Sequence, residues 1–236
     1  MKPYVICHMC TTIDGKILTS RWPRLPGPKS ATELYETTAA KFGIDAWLVG
    51  TSTMREFAKP NVKLVAVRTR VPRTDHVADP KAKSFAIGTD GKGVLRFTTG
   101  KVAGDHIVVL VTKKVSNDYL AHLVAAGVSF LFCGAKDLDL KVALDKIRRL
   151  LKQEKLMLEG GGTFNGAMLQ AGLVDEISQV IVPVVDGGTG IPGIFDIPGK
   201  APKKAAATLE LRKRRKLAGG ATWLRYRVKA QRPQQR

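Results

Sequence analysis

Lys155-Leu-Met-Leu-Glu159-Gly160-Gly161-Gly162-Thr163-Phe164-Asn165-Gly166-Ala-Met-Leu-Gln-Ala-Gly172 decides how this chain folds. Apolar residues of strand length run into three consecutive glycines. An apolar pattern at helical spacing then passes through Phe164, Met168 and Leu169 to a stop at Gly172. The stretch predicts a strand, a tight turn and a helix. Glycines at such a turn let backbone approach a ligand closely, and the free N–H groups and positive end of the helix favour phosphate or pyrophosphate. Gly160, Gly161, Gly162, Thr163, Phe164 and Asn165 line this turn as candidate contacts to such a ligand, with Glu159 at the strand end beside them. The spacing G-G-G-x-x-x-G, two-thirds along the chain, is not the G-x-G-x-x-G of a first Rossmann turn. It also lacks the Gly-Lys-Ser/Thr ending of an ATP-binding loop.

Working outward, the segments before the glycine turn alternate strand and helix. Pro3 to Met9 is a predicted strand running into Thr11-Thr12-Ile13-Asp14-Gly15-Lys16, where Asp-Gly marks a turn. Lys16 to Lys29, with Ser20-Arg21-Trp22 and several prolines, is a predicted surface loop. Ser30, with Glu33 three residues on, caps a predicted helix through Leu34, Thr38 and Phe42. Asp45 to Gly50 reads as a buried strand, and Thr51-Ser52-Thr53-Met54 supplies hydroxyls and N–H groups at a second strand-to-helix turn. In an open α/β sheet ligands collect outside the carboxyl ends of the strands, so two such turns suit one extended ligand. Further strands are expected at Asn61 to Arg70, Lys83 to Gly88, His106 to Val111 and Val128 to Cys133. Helices are expected after Ser116 and from Leu140 to Leu151. Thr112-Lys113-Lys114, at a strand end, offers a hydroxyl and cations for a phosphate. Glu176 to Val185 is a long apolar strand ending in a glycine-rich loop, and Ala207 to Lys216 with Ala221 to Lys229 form a predicted hairpin.

Composition bounds the class. Hydrophobic residues make up 44% of 236, enough for a buried core in a single domain spanning 1–236, with residues 231–236 expected to be a disordered tail. No apolar run approaches the roughly 20 residues that span a bilayer, and the start lacks a signal-peptide pattern, so a cytoplasmic protein without membrane attachment is expected. Cys7, Cys10 and Cys133 make an odd count, which argues against a disulfide framework. Cys7 and Cys10, three apart on a strand, point to opposite faces, and no metal site is expected. The 39 Lys and Arg against 20 Asp and Glu give a pI near 10.1, a balance that attracts phosphorylated small molecules or polyanions. Much of it is local, at Lys203, Lys204, Arg212 to Lys216 and the tail with Arg232 and Arg236. No helix-turn-helix, zinc-finger spacing or aromatic ribonucleoprotein motif accompanies it, so a basic nucleic-acid-binding protein is the rival of a different class.

Several pieces, taken together, resemble one family. Thr12-Ile13-Asp14-Gly15-Lys16, Ser20-Arg21-Trp22, Asp45-Ala46-Trp47-Leu48-Val49-Gly50-Thr51-Ser52-Thr53 and Leu158-Glu159-Gly160-Gly161-Gly162, with Asn165, Leu169 and Gly172 to Glu176, are similar to the reductase domain of riboflavin-biosynthesis deaminase-reductases, in a stand-alone form. The resemblance implies an α/β dihydrofolate-reductase-like fold, a mixed, mostly parallel sheet flanked by helices, here with a C-terminal antiparallel hairpin. It implies an NADPH-dependent oxidoreductase that reduces the ribosyl group of a ribosylamino-pyrimidine 5′-phosphate to ribityl, and a homodimer. It places Thr11, Trp22, Gly50, Thr53 and Gly161 to Ala167 around NADPH, and Ser20 and Glu159 near the substrate. Thr51 and the pair Thr112 and Lys113 join the cofactor set from the strand-end reading above. Asp14 and Glu159 are the candidate catalytic carboxylates, Asp14 as a carboxylate lining the site or as a turn cap. Family members follow the residue equivalent to Thr53 with an acidic residue, a proline and an arginine that help hold the substrate. This chain reads Met54-Arg55-Glu56-Phe57-Ala58-Lys59-Pro60 instead, which leaves open a diverged reductase acting on another carbonyl, imine or pteridine. Neither H-x-E nor P-C-x-x-C, the zinc signature of the deaminase half, occurs.

Overall fold

The computed structural model describes residues 1–197, 199 and 206–229. The tail expected to be disordered, and Lys203, Lys204, Arg232 and Arg236, lie outside the described residues. In chain order the elements are β1 (Tyr4–Thr11), α1 (Ala31–Ala39), β2 (Ala46–Val49), α2 (Thr51–Met54), β3 (Phe85–Thr89), β4 (Lys101–Val102), β5 (Asp105–Val111), α3 (Asn117–Ala125) and β6 (Ser129–Phe132). They continue with α4 (Leu140–Leu150), β7 (Lys155–Leu158), α5 (Gly162–Gln170), β8 (Glu176–Ile181), β9 (Leu209–Lys216) and β10 (Thr222–Val228). The strand pairing is mixed and mostly parallel, with an antiparallel hairpin at the C-terminal end.

The helix starts follow capping chemistry. Ser30 and Glu33 form a reciprocal box, with Glu33 N donating to Ser30 Oγ at 3.2 Å and Ser30 N to Glu33 Oε2 at 2.7 Å. Ser116 Oγ accepts from Tyr119 N at 3.1 Å, and Asp139 Oδ1 from Lys141 N and Val142 N at 2.9 and 3.0 Å. Each such cap satisfies donors that the helix itself leaves free and stabilises it by about 1 kcal/mol.

The chain divides into two compact units. The first comprises Met1–Pro3 and Asp45–Leu156. In it β2 pairs with β3 and β3 with β5, both parallel, and β5 is flanked further by parallel β6 and antiparallel β4. Phe85–Thr89 and Ile107–Val111 are buried residue after residue, the pattern of parallel strands covered on both faces. Ala86, Ile107, Val109 and Val111, on one face of these strands, pack with Met54, Leu95, Phe97, Tyr119, Leu120 and Leu123 into one core. The strand expected at Asn61 to Arg70 is absent. That segment is a loop with Val65 exposed, fastened by Val67 N to Asp118 Oδ1 at 3.0 Å and by Val71 N to Asn117 Oδ1 at 2.8 Å. β-Branched residues favour a pleated, half-buried surface, and here no strand partner supplies one.

The second unit comprises Tyr4–Ile44 and Met157–Arg236. Its β1 runs parallel to β8 from Ile6 opposite Glu176 to Thr11 opposite Ile181, β10 is antiparallel to β8, and β9 is antiparallel to β10. The β10–β9 register skips Arg212, which forms a bulge between Leu211 and Lys213. The core here holds Cys10, Leu25, Leu34, Val180, Val182, Val184, Ala221 and Trp223. All three cysteines are buried and free, and burial pushes the thiols of Cys10 and Cys133 up to about 12.

Candidate functional site

In the second unit the glycine turn forms as expected. Gly160 adopts φ +111°, a conformation that side chains resist, and Gly161 caps α5 with φ −52° and ψ 169°. Phe164 N and Asn165 N turn back to Gly161 O at 2.9 and 3.0 Å, while the N–H groups of Gly162 and Thr163 donate to nothing among the described residues. Asn165 is completely buried. Its Nδ2 donates to Ile194 O at 3.1 Å, but its Oδ1 has no partner among the described residues. A buried acceptor left without a donor costs roughly 1–3 kcal/mol, so this turn carries an unfilled demand for a hydrogen-bond donor.

Part of the glycine content serves the chain itself. A Cβ on Gly162 would stand 2.2 Å from Gly193 O and 2.7 Å from Asp196 Oδ2, and one on Gly166 would stand 2.3 Å from Asp196 O. The segment from Gly193 to Asp196 lies directly on the start of α5, held by Asp196 N to Gly162 O at 3.0 Å and Gly193 N to Asp196 Oδ2 at 3.0 Å.

The Thr11–Arg21 segment is strapped to the loop after β8. Asp14 Oδ1 and Oδ2 accept from Asp186 N at 3.1 Å and Gly187 N at 2.9 Å. The Thr12 hydroxyl first, and these two amides next, hold the Asp14 carboxyl down to about 2. Arg21 grips Asp186 through two bonds, Nε to Oδ2 at 2.7 Å and Nη2 to Oδ1 at 3.1 Å. Lys16 Nζ donates to Ile191 O at 3.1 Å and Ile17 N to Pro192 O at 3.1 Å. Buried Thr11 accepts from Gln179 Nε2 at 2.9 Å, and Thr12 Oγ1 from Lys16 N at 2.9 Å. One run of loop, 186 to 196, thus connects the Asp14 turn with the first residues of α5.

Glu159, at the end of β7, is half-buried. Its carboxylate lies beside the Tyr35 hydroxyl, which burial first, and the charge and hydrogen bond of Glu159 next, raise well above the usual phenol value. Tyr35 is fixed in turn by stacking on His8 with ring centroids 4.5 Å apart, and its carbonyl faces His8 Nε2 at 3.1 Å. Ser20 is exposed in a short 3-10 turn, Thr19–Arg21. Trp22 is half-buried, and its indole Nε1 is buried without a partner among the described residues.

In the first unit the remaining predicted residues are bound into the fold to different degrees. Gly50 precedes α2, and Thr51 Oγ1 donates to Thr89 O at 2.6 Å. Thr53 is half-buried one turn position later. Thr112 Oγ1 donates to Gly91 O at 2.6 Å, so its hydroxyl holds the turn after β3, while the neighbouring Lys113 is exposed. Asp90, buried at the same turn, accepts from Val94 N, Leu95 N and Tyr119 Oη and is satisfied by the fold. Among the described residues no cluster of His, Cys, Asp and Glu suits a metal ion, and no helix is long and apolar enough to cross a membrane.

Sequence reasoning did not assign Tyr35, Lys16, Arg21, Asp186 or Asp196 to the site. Asp186 showed only as the start of a glycine-rich loop, because its partners Asp14 and Arg21 stand more than 160 residues away. The capping box that fixes α1 was legible, and it was the one local signal that brought Tyr35 near.

The family model of the RibD C-terminal domain matches residues 3–222. The 2,5-diamino-6-ribosylamino-4(3H)-pyrimidinone 5′-phosphate reductase of Methanothermobacter thermautotrophicus is 29% identical over 90% of this chain and 93% of its own. The enzyme of the same description from Aquifex aeolicus is 25% identical, with 90% of each chain covered. Among solved structures, a pyrimidine reductase-like protein of Corynebacterium diphtheriae superposes with a TM-score of 0.68 at 18% identity, covering 97% of this chain and 93% of that one. The riboflavin biosynthesis reductase Rib7 of Saccharomyces cerevisiae gives 0.58 at 17% identity, covering 97% and 90%.

Proposed function

The chain belongs to the RibD C-terminal domain family, the reductases of riboflavin biosynthesis, and from that premise we propose that it reduces a ribosylamino-pyrimidine 5′-phosphate to the ribityl compound with NADPH. The observation that carries the reading is the start of α5. The N–H groups of Gly162 and Thr163 at the start of that helix donate to nothing among the described residues. Those groups suit a dinucleotide: the N–H groups and the helix end receive pyrophosphate oxygens. Gly160 to Asn165 would hold the cofactor, with Thr11 and Trp22 of the same unit in the same role, and NADPH rather than NADH is proposed on the family resemblance.

The cofactor, when bound, supplies a hydride. Opening of the substrate's ribosylamine to an imine would give that hydride an acceptor carbon at C1′, with the imine nitrogen taking its proton from solvent. This chain's contribution is chiefly placement. Glu159 receives the N–H edge of the pyrimidine, and the raised Tyr35 phenol, which keeps its proton at neutral pH, donates to that carboxylate and fixes its direction. Ser20 meets the sugar end. Asp14 and Arg21 act through the loop they hold, keeping 186 to 196 seated on α5.

The test is NADPH consumption with 2,5-diamino-6-ribosylamino-4(3H)-pyrimidinone 5′-phosphate and with its deaminated counterpart. Turnover is expected with one or both, and Glu159→Gln should lower kcat/KM at least tenfold, about 1.4 kcal/mol of transition-state stabilisation. No turnover with either, in protein that binds NADPH, would leave a diverged reductase. Tight, steeply salt-dependent binding of nucleic acid with no response to NADPH would sink the enzyme reading.

A further inference from the structure

Positive charge is unevenly placed in this chain. From Ile197 to Arg236 there are thirteen Lys and Arg and one acid, Glu210, so about a sixth of the residues carries +12 of the net +19. Among the described residues it gathers on β9, where every residue from Arg212 to Lys216 is exposed. Charge on an edge strand blocks stray strand pairing, and that need ends with the strand's own residues. Here the charge extends beyond the strand. Lys41, in the 3-10 turn Ala40–Phe42 that follows α1, brings its Nζ 5.4 Å from the centre of the Trp223 ring, and Lys213 Nζ lies 5.6 Å from the same centre. Arg215 pairs across the hairpin with Trp223 and Lys213 with Arg225, so both share the face of that ring. Cations from two elements therefore converge beside one buried indole, which holds two of them in place. Partial loss of hydration first, and the charges of Arg215, Lys213 and Lys29 next, push the Lys41 amine down from the usual lysine value, so the cluster repels itself. The nearby acids are engaged elsewhere: Arg225 is paired with Glu176, Arg212 with Glu210 at 3.2 Å, and Lys29 lies beside Glu33. Lys41, Lys213 and Arg215 form no ion pair among the described residues.

A preorganised, unneutralised cation cluster on an open face is complementary to a polyanion. Unpaired bases would need an aromatic platform, and Trp223 is only 1% exposed. An anionic membrane would need apolar side chains beside the cations, and the exposed Leu209 and Leu211 lie on the other face of the hairpin. A duplex needs neither, since it turns its phosphates outward at one charge per about 1.7 Å of axis. We propose that the face formed by Lys41, Lys213 and Arg215 binds the phosphate backbone of double-stranded nucleic acid without regard to sequence. This is an activity beyond the reductase reading and independent of it, because none of the three residues is assigned to cofactor or substrate.

The experiment follows the fluorescence anisotropy of a labelled DNA duplex of about 20 base pairs between about 0.05 and 0.2 M salt. It compares the natural chain with Lys41→Gln/Lys213→Gln/Arg215→Gln and with a control, Lys63→Gln/Lys136→Gln/Lys141→Gln, which removes the same charge from exposed positions in the first unit. Circular dichroism checks that each variant is folded. The natural chain should bind with a Kd of about 1–100 µM at about 0.15 M salt, the range of backbone-only contacts. The cluster variant should lose at least tenfold and flatten the slope of log K against log salt by about 3, one for each phosphate contact removed, while the control loses less than threefold. Equal losses in the two variants would assign the affinity to net charge alone and overturn the proposal, as would no binding by the natural chain even at about 0.05 M salt. A single strand of the same length bound more tightly than the duplex would also overturn it, and so would capture by phosphatidylserine vesicles without capture by the duplex. None of these measurements uses NADPH or substrate, so a failed reductase assay leaves the duplex result standing, and a failed duplex result leaves the reductase reading in place.

Discussion

At Gly161 and Gly162 two adjacent residues lack side chains under different constraints. Gly162 cannot accept a Cβ without moving the Gly193 carbonyl or the Asp196 carboxylate, at 2.2 and 2.7 Å. Gly162→Ala should therefore destabilise the fold by about 1–3 kcal/mol, the usual cost of overpacking, read as a lower urea midpoint. An unchanged midpoint would mean that the Gly193–Asp196 segment yields freely. Gly161 has an ordinary extended backbone, φ −52° and ψ 169°, open to any residue. With the cofactor on this turn as proposed, Gly161→Val should weaken NADPH binding at least tenfold, about 1.4 kcal/mol, in a folded protein. Retained affinity in that variant would take the pyrophosphate away from this turn.

His8 ties three elements together. On β1, it is fully buried, with Nδ1 2.9 Å from Ser178 Oγ on β8 and Nε2 3.1 Å from the Tyr35 carbonyl on α1. The carbonyl can only accept, so Nε2 carries the proton, and Ser178, which receives Trp223 Nε1 at 2.8 Å, donates to Nδ1. The ring is neutral, and burial pushes its pKa down to about 4. Because the folded value lies below the unfolded 6.5, the unfolded chain binds the extra proton between pH 6.5 and 4. Stability is complete above that window and falls as pH drops through it, by about 2 kcal/mol from pH 7 to pH 5. In His8→Gln this slope should flatten; an equally steep loss would place the titration elsewhere. None of this junction was legible in Cys7-His8-Met9-Cys10, because a strand pattern shows that a residue is buried but not which strand and helix meet it. What was legible came from local chemistry: the Ser30–Glu33 box, the Ser116 cap, the glycine turn and the hairpin. The failed strand at Asn61 to Arg70 has the matching cause, since β-propensity is local and a strand needs a partner. Likewise the strap of Asp14 and Arg21 on Asp186 joins distant loops, which periodicity does not report.

For the molecule as a whole, the hairpin and the +19 charge bear on assembly. In the β10–β9 register Leu224, Tyr226 and Val228 share a face with Leu209 and Leu211, while Trp223 and Arg225 face the other way. The Trp223 side is filled: Arg225 stacks 4.5 Å over Phe42, and Lys41 and Lys213 lie 5.4 and 5.6 Å from the Trp223 ring centre, so some of the basic residues cover aromatics. On the other side Leu209 and Leu211 are exposed, and β9 pairs among the described residues with β10 alone. An apolar strand face at a sheet edge invites a partner, and we propose a second copy seated on it. Arg214 and Lys216 share that face opposite Leu224 and Thr222, so two copies repel there, and association should strengthen as salt screens the charge. Light scattering at micromolar protein and about 0.15 M salt, where the Debye length is about 8 Å, should give twice 25.6 kDa, or about 51 kDa. Leu211→Arg, which adds a cation to the apolar face, should return the mass to that of one chain. A mass of 25.6 kDa for the natural protein under these conditions would reject the dimer and leave Leu209 and Leu211 facing solvent.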